Sequence, residues 1–138
     1  MVQWYHDHVY RMSEGFDNMP KDKGDCRTYC FELPSYVSIL RDISWAINNK
    51  LERPYFSMNM GIAKCHKNDN YVKSVGRDIS QSKLEQVDFI IKKVSMVSSQ
   101  NEINVKLYSP LTGVIVFLVV RKSFENIRVI QVDREKQE

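Results

Sequence analysis

Apolar and other side chains alternate from Arg27 to Leu33 (RTYCFEL), a period of two rich in β-formers that predicts a strand. Tyr29, Phe31 and Leu33 share one face, and Thr28, Cys30 and Glu32 share the other. After Pro34 the spacing lengthens. Val37, Leu40, Ser44 and Ile47 form a stripe with Ile39, Ile43 and Ala46 beside it, which predicts an amphipathic helix N-capped by Ser35. Asn48-Asn49 and Pro54 end that helix. Period two returns from Tyr55 to Lys64 (YFSMNMGIAK), with Phe56, Met58, Met60 and Ile62 on one face. A second helix is predicted from Tyr71 to about Leu84, with Asn68, Asp69 and Asn70 as candidate N-caps and Val72, Val75 and Ile79 on its apolar side. Gly76 costs a helix interior about 1 kcal/mol relative to Ala, so it is expected where the helix closely approaches another backbone.

The C-terminal half is patterned for β-structure. Val87 to Val97 has apolar residues at Val87, Phe89 and Ile91 and then at Val94 and Met96, which favours a strand and leaves a helix open. Ile103, Val105 and Leu107 alternate ahead of a turn over Ser109-Pro-Leu-Thr-Gly113. Val114 to Val120, the longest apolar run, reads as a buried strand. Ile127 to Val132 is the last strand, with Ile127, Val129 and either Ile130 or Val132 inside. Short links between successive strands predict an antiparallel meander. The fold class is α+β, a mostly antiparallel sheet of about five to six strands with two helices. Residues 1–25 stand apart: Trp4, Tyr5, His6, His8 and Tyr10 make a short strand or a docked arm, and Ser13 to Asp25 a loop.

The chain of 138 residues is long enough for one domain with its own core, and its 43% hydrophobic and 27% charged residues exclude wholesale disorder. No stretch reaches the ~18–20 apolar residues of a membrane helix, so no membrane association is expected. The N-terminus lacks a basic and then apolar leader pattern, and three cysteines are too few for a disulfide scaffold. A reducing cytoplasm is the expected compartment, that of the host if the protein is viral.

Candidate chemistry is sparse. His6, His8, Cys26, Cys30, Cys65 and His66 are of the types zinc prefers, but their spacing fits no knuckle. Cys26 and Cys30 would stand about 13 Å apart on a strand. Packed thiols and exposed histidines are the simpler reading, and no metal or cofactor is expected. Cys65-His66, between Lys64 and Lys67 and ahead of a helix, is a setting that lowers a thiol pKa, yet no base or oxyanion hole accompanies it. Phosphate loops, His-Glu-x-x-His and Gly-x-Ser-x-Gly are absent from the sequence.

Charge adds more. The net +3 resides in residues 64–83, where Lys64, Lys67, Lys73, Arg77 and Lys83 face only Asp69 and Asp78. Residues 1–63 sum to −1 and 84–138 to +1. Lys73 and Arg77 share a helix face, and Tyr71 is a candidate stacking residue for a nucleic acid. A solvated helix face is the alternative. Trp4, Tyr5 and Tyr10 are candidate interface anchors, since aromatic residues dominate binding hot spots. An N-terminal arm folded onto the core accounts for them equally.

The stretch Gly61-Ile-Ala-Lys-Cys-His-Lys-Asn-Asp-Asn70, continuing through Tyr71-Val-Lys-Ser-Val-Gly-Arg-Asp-Ile-Ser80 to Leu84, resembles a pattern in small accessory proteins of tailed bacteriophages. Those carry a strand ending in Ala-x-Cys, a polar loop with Asp, and an aromatic followed by a Gly-x-x-[Ile/Leu]-Ala helix. Ser80 stands where the pattern has Ala. The resemblance brings no catalytic or binding residue. It implies a viral accessory protein that binds and modulates a host protein or protein–nucleic acid complex without catalysis. The alternative expectation is a nucleic-acid-binding domain using the basic 64–83 segment.

Overall fold

A computed structural model describes residues 1–7, 26–49, 55–64 and 72–135. Seven strands form one sheet: β1 (Val2–Asp7), β2 (Arg27–Glu32), β3 (Tyr55–Lys64), β4 (Glu85–Val97), β5 (Glu102–Tyr108), β6 (Val114–Arg121) and β7 (Asn126–Arg134). Each pairs antiparallel with the next, in the order β1 to β7. Helix α1 (Tyr36–Asn49) joins β2 to β3, and α2 (Lys73–Ser82) lies between β3 and β4. The α+β class and the C-terminal meander are as the pattern predicts. Among the described residues the strand count is seven rather than five to six. The added strand is β1, whose six residues pair in register with β2 from Val2↔Glu32 to Asp7↔Arg27.

The sheet curls into a near-barrel around one core. Tyr29 and Phe31 of β2 stack at 6.3 Å between ring centroids, and they share the interior with Phe56, Met58, Met60, Phe89, Val105, Leu107, Val116 and Leu118. Helix α1 starts as expected, with the Ser38 N–H donating to Ser35 Oγ at 3.2 Å. Its buried stripe, however, is Ile39, Ile43 and Ala46 with Tyr36 and Leu40 beside it, while Val37, Ser44 and Ile47 are exposed. The two candidate stripes adjoin, and only the exposed one carries a hydroxyl that burial would strip of water.

Two bulges settle the ambiguous phases. Strand β4 is extended throughout, which removes the helical alternative, and its register shifts between Ile91 and Lys93. That one-residue shift turns Val94 inward after Ile91, and Met96, on the same face but at the strand's end, is exposed. On β7, Leu118 pairs with Val129 and Phe117 with Gln131, so Ile130 is the extra residue and Val132 is the one inside.

The first and last strands meet without a backbone ladder among the described residues; side chains of β1 bridge the seam. Gln3 Nε2 donates to the Ile127 carbonyl at 2.6 Å, and Gln3 Oε1 accepts the Val129 N–H at 2.9 Å. The Val132 amide reaches the Tyr5 hydroxyl. Asp7 pairs with Arg134 at 3.6 Å. Gln3, Tyr5 and Asp7 alternate along β1 and so share one face, which lets a single strand satisfy the edge of β7.

Candidate binding surface

Helix α2 lies on the outer face of β2 and β3, and two glycines set how close it comes. A Cβ on Gly61 of β3 would sit 1.9 Å from the Ser80 carbonyl, and one on Gly76 of α2 would sit 2.4 Å from Thr28 Oγ1. Gly76 therefore does mark a close approach, to the Thr28 side chain. The same covering makes β2 buried on both faces, with Cys26, Thr28 and Cys30 sealed on the outer side.

This close packing reverses the expected orientation of α2. The residues against the sheet are small: Gly76 at the contact and Ser80 fully buried. Val72, Val75 and Ile79 are 49%, 51% and 40% exposed. Bulky side chains cannot enter a gap this narrow, so they flank the contact instead of filling it. The helix also begins later than predicted, at Lys73. Val72 occupies the cap position without a side-chain cap bond, and Asn68, Asp69 and Asn70 lie outside the described residues.

Of the predicted basic set, Lys64 is exposed at the end of β3, and Lys73, Arg77 and Lys83 are exposed on or just after α2. None of these four makes an ion pair within 4.0 Å among the described residues. Helical rotation places Lys73 and Arg77 on the flank of α2 away from Val75 and Ile79. Lys67, Tyr71 and Tyr10 lie outside the described residues, as do His8, Cys65 and His66. The proposed aromatic anchors diverge. Trp4 points to the outer face of β1, 37% exposed, whereas Tyr5 packs against the core and its hydroxyl pKa is raised, chiefly by burial and next by Asp7.

Among the described residues no three His, Cys, Asp or Glu side chains converge as metal ligands. Cys26 and Cys30 are free buried thiols. The pKa of Cys30 is pushed up to about 11 by burial and then by Glu32, the opposite of an activated nucleophile. The outward apolar stripe of α2 escaped sequence reasoning because its period is that of any buried stripe. The small pair Gly76 and Ser80, four apart on the adjoining flank, was the signal for which side packs.

Fold and surfaces together define an α+β near-barrel that carries one helix against its interior and another, apolar side outward, on its outer wall. No family model, curated protein or solved structure matches the chain. No helix among the described residues is long and apolar enough to cross a membrane.

Proposed function

We propose that this chain is an accessory protein of the tailed-bacteriophage kind, working without catalysis by binding a host protein or a host protein–nucleic acid complex through α2. The observation that carries the reading is the exposed row Val72, Val75 and Ile79 on a helix already anchored by its other flank. Apolar side chains spaced over two turns of a fixed helix suit the groove or helix of a protein partner. Lys73 and Arg77 stand on the opposite flank of the helix and would reach only a partner broad enough to wrap around α2. Exposed Lys64, Lys73, Arg77 and Lys83 also suit a nucleic acid, but a phosphate backbone would leave the apolar row in water.

The test is affinity capture from a bacterial lysate with the wild-type protein and with Val75→Asp/Ile79→Asp. Both positions are exposed, so the thermal midpoint should stay within a few degrees. A stoichiometric partner held by the wild type and lost by the double variant is expected. Absence of any such partner, or its retention by the double variant, sinks the reading.

A further inference from the structure

The outer wall of the barrel is covered by α2 at β2 and β3, whereas among the described residues no helix is packed closely on it at β5 to β7. Cross-strand registers place Lys93, Lys106 and Phe117 in one row across β4, β5 and β6, and Arg121 beside Asn126 across β6 and β7. Two shallow grooves run over this wall. One, about 350 Å³, is lined by Lys93, Lys106, Phe117 and Ile130. The other, about 470 Å³, crosses the seam to β1 and is lined by Trp4, Arg121, Asn126 and Arg128. Ile130 and Arg128 are near neighbours on β7, so the grooves adjoin.

Their chemistry is cationic and aromatic by turns. Lys106 Nζ lies 5.8 Å from the Phe117 ring centroid, near the outer limit of a cation–π contact, and is free to turn toward a phosphate. Arg121 Nε stands 3.9 Å from Glu102, too far for a hydrogen bond, and among the described residues both it and Asn126 Oδ1 are buried without a hydrogen-bond partner. A ligand that opens this contact would offer an acceptor to the one and a donor to the other. Nucleobase edges carry both, and phosphates add further acceptors for the guanidinium groups. Acidic side chains carry acceptors alone and make no use of the exposed face of Trp4.

We propose that this uncovered wall binds single-stranded nucleic acid, with Phe117 and Trp4 as stacking platforms and Lys93, Lys106, Arg121 and Arg128 along the backbone. Glu102 and Asp133 bound the stretch, Asp133 being held by the Gln131 side-chain amide at 2.9 Å. The surface is not that of α2, and the proposal holds whether or not α2 docks a protein.

With Trp45→Phe as background, Trp4 is the sole tryptophan. Its fluorescence is followed during titration with a thymidine oligonucleotide of about 12 nucleotides, covering both grooves. Saturable quenching is expected, with a log–log salt slope of about −2 to −3 for three to four neutralised phosphates. Lys106→Glu and Arg128→Glu, read by fluorescence anisotropy of a labelled oligonucleotide, should each weaken binding about tenfold or more. Trp4→Leu should do so about fivefold or more by the same readout. Circular dichroism confirms folding, and Arg128, being exposed, keeps the test open if another variant unfolds. Undetectable binding at low salt overturns the proposal. So do equal affinity for duplex, displacement by poly-glutamate as effective as by oligonucleotide, or sensitivity to Lys73→Glu/Arg77→Glu in place of Lys106 and Arg128.

Discussion

Cys30 has no exposed surface on the outer side of β2, and its thiol pKa is pushed from an ordinary 9.0 to about 11, first by burial and then by Glu32. Between those two values the folded chain holds a proton that the unfolded chain releases. Stability is therefore fully present below about pH 9 and falls as pH rises toward 11, by up to about 2–3 kcal/mol. Burial raises the Tyr29 phenol as well and acts in the same direction. Urea unfolding midpoints of wild type and Cys30→Ala, measured from pH 8 to 10.5, check this: the wild type should lose stability more steeply. Parallel curves would show that the thiol contributes nothing. That Cys30 would be packed was legible in the sequence as a thiol facing away from the Tyr29 side. What packs on it was not, because α2 arrives from residues far along the chain.

At the scale of the element, α2 illustrates how tertiary contact overrides periodicity. Its helical character follows from local sequence, but its orientation depends on the gap left by Gly61 on another strand. Gly61→Ala would push Cβ into the Ser80 carbonyl, a backbone atom that cannot yield without moving the helix. A loss of about 3 kcal/mol is expected by chemical denaturation. Gly76→Ala should cost less. It gains about 1 kcal/mol of helix propensity, set against a clash with Thr28, whose hydroxyl lies 3.1 Å from His6 Nδ1. The larger loss falling on Gly76 instead would refute this ordering. Helix α1 carries a related lesson: two adjacent stripes were visible, and the hydroxyl of Ser44 in one of them pointed to the other.

For the whole molecule, the seam between β1 and β7 decides whether the sheet curls into a near-barrel or stays open at its edges. Gln3 supplies both a donor and an acceptor to β7, at Ile127 and Val129. Gln3→Ala would leave those backbone groups unmatched, for a loss of about 2 kcal/mol. Gln3→Glu keeps the acceptor and loses the donor, so it should also destabilise at neutral pH. Asp7→Asn at the part-exposed ion pair with Arg134 should cost under about 1 kcal/mol. Thermal melts of the three variants give the order, and a larger effect at Asp7 than at Gln3 would place the seam's stability in the ion pair. Hydrogen exchange at Val129 reports the opening directly.

Charge behaves in the same way as packing. Counted along the chain, residues 84–138 are nearly neutral at +1, and the surplus sits in 64–83. Antiparallel registers then gather Lys93, Lys106, Arg121 and Arg128 onto one wall of the barrel, a grouping that a running count cannot see. The sequence by itself determined strands β5 to β7 of the meander, the two helices and the cap at Ser35, because each rests on residues a few positions apart. Tertiary structure alone decided that β1 is a seam strand, which stripe of α1 is buried, which flank of α2 faces outward and where the basic wall lies. Those features depend on side chains far apart in the chain coming within a few ångströms, and periodicity carries no information about which distant residues will meet.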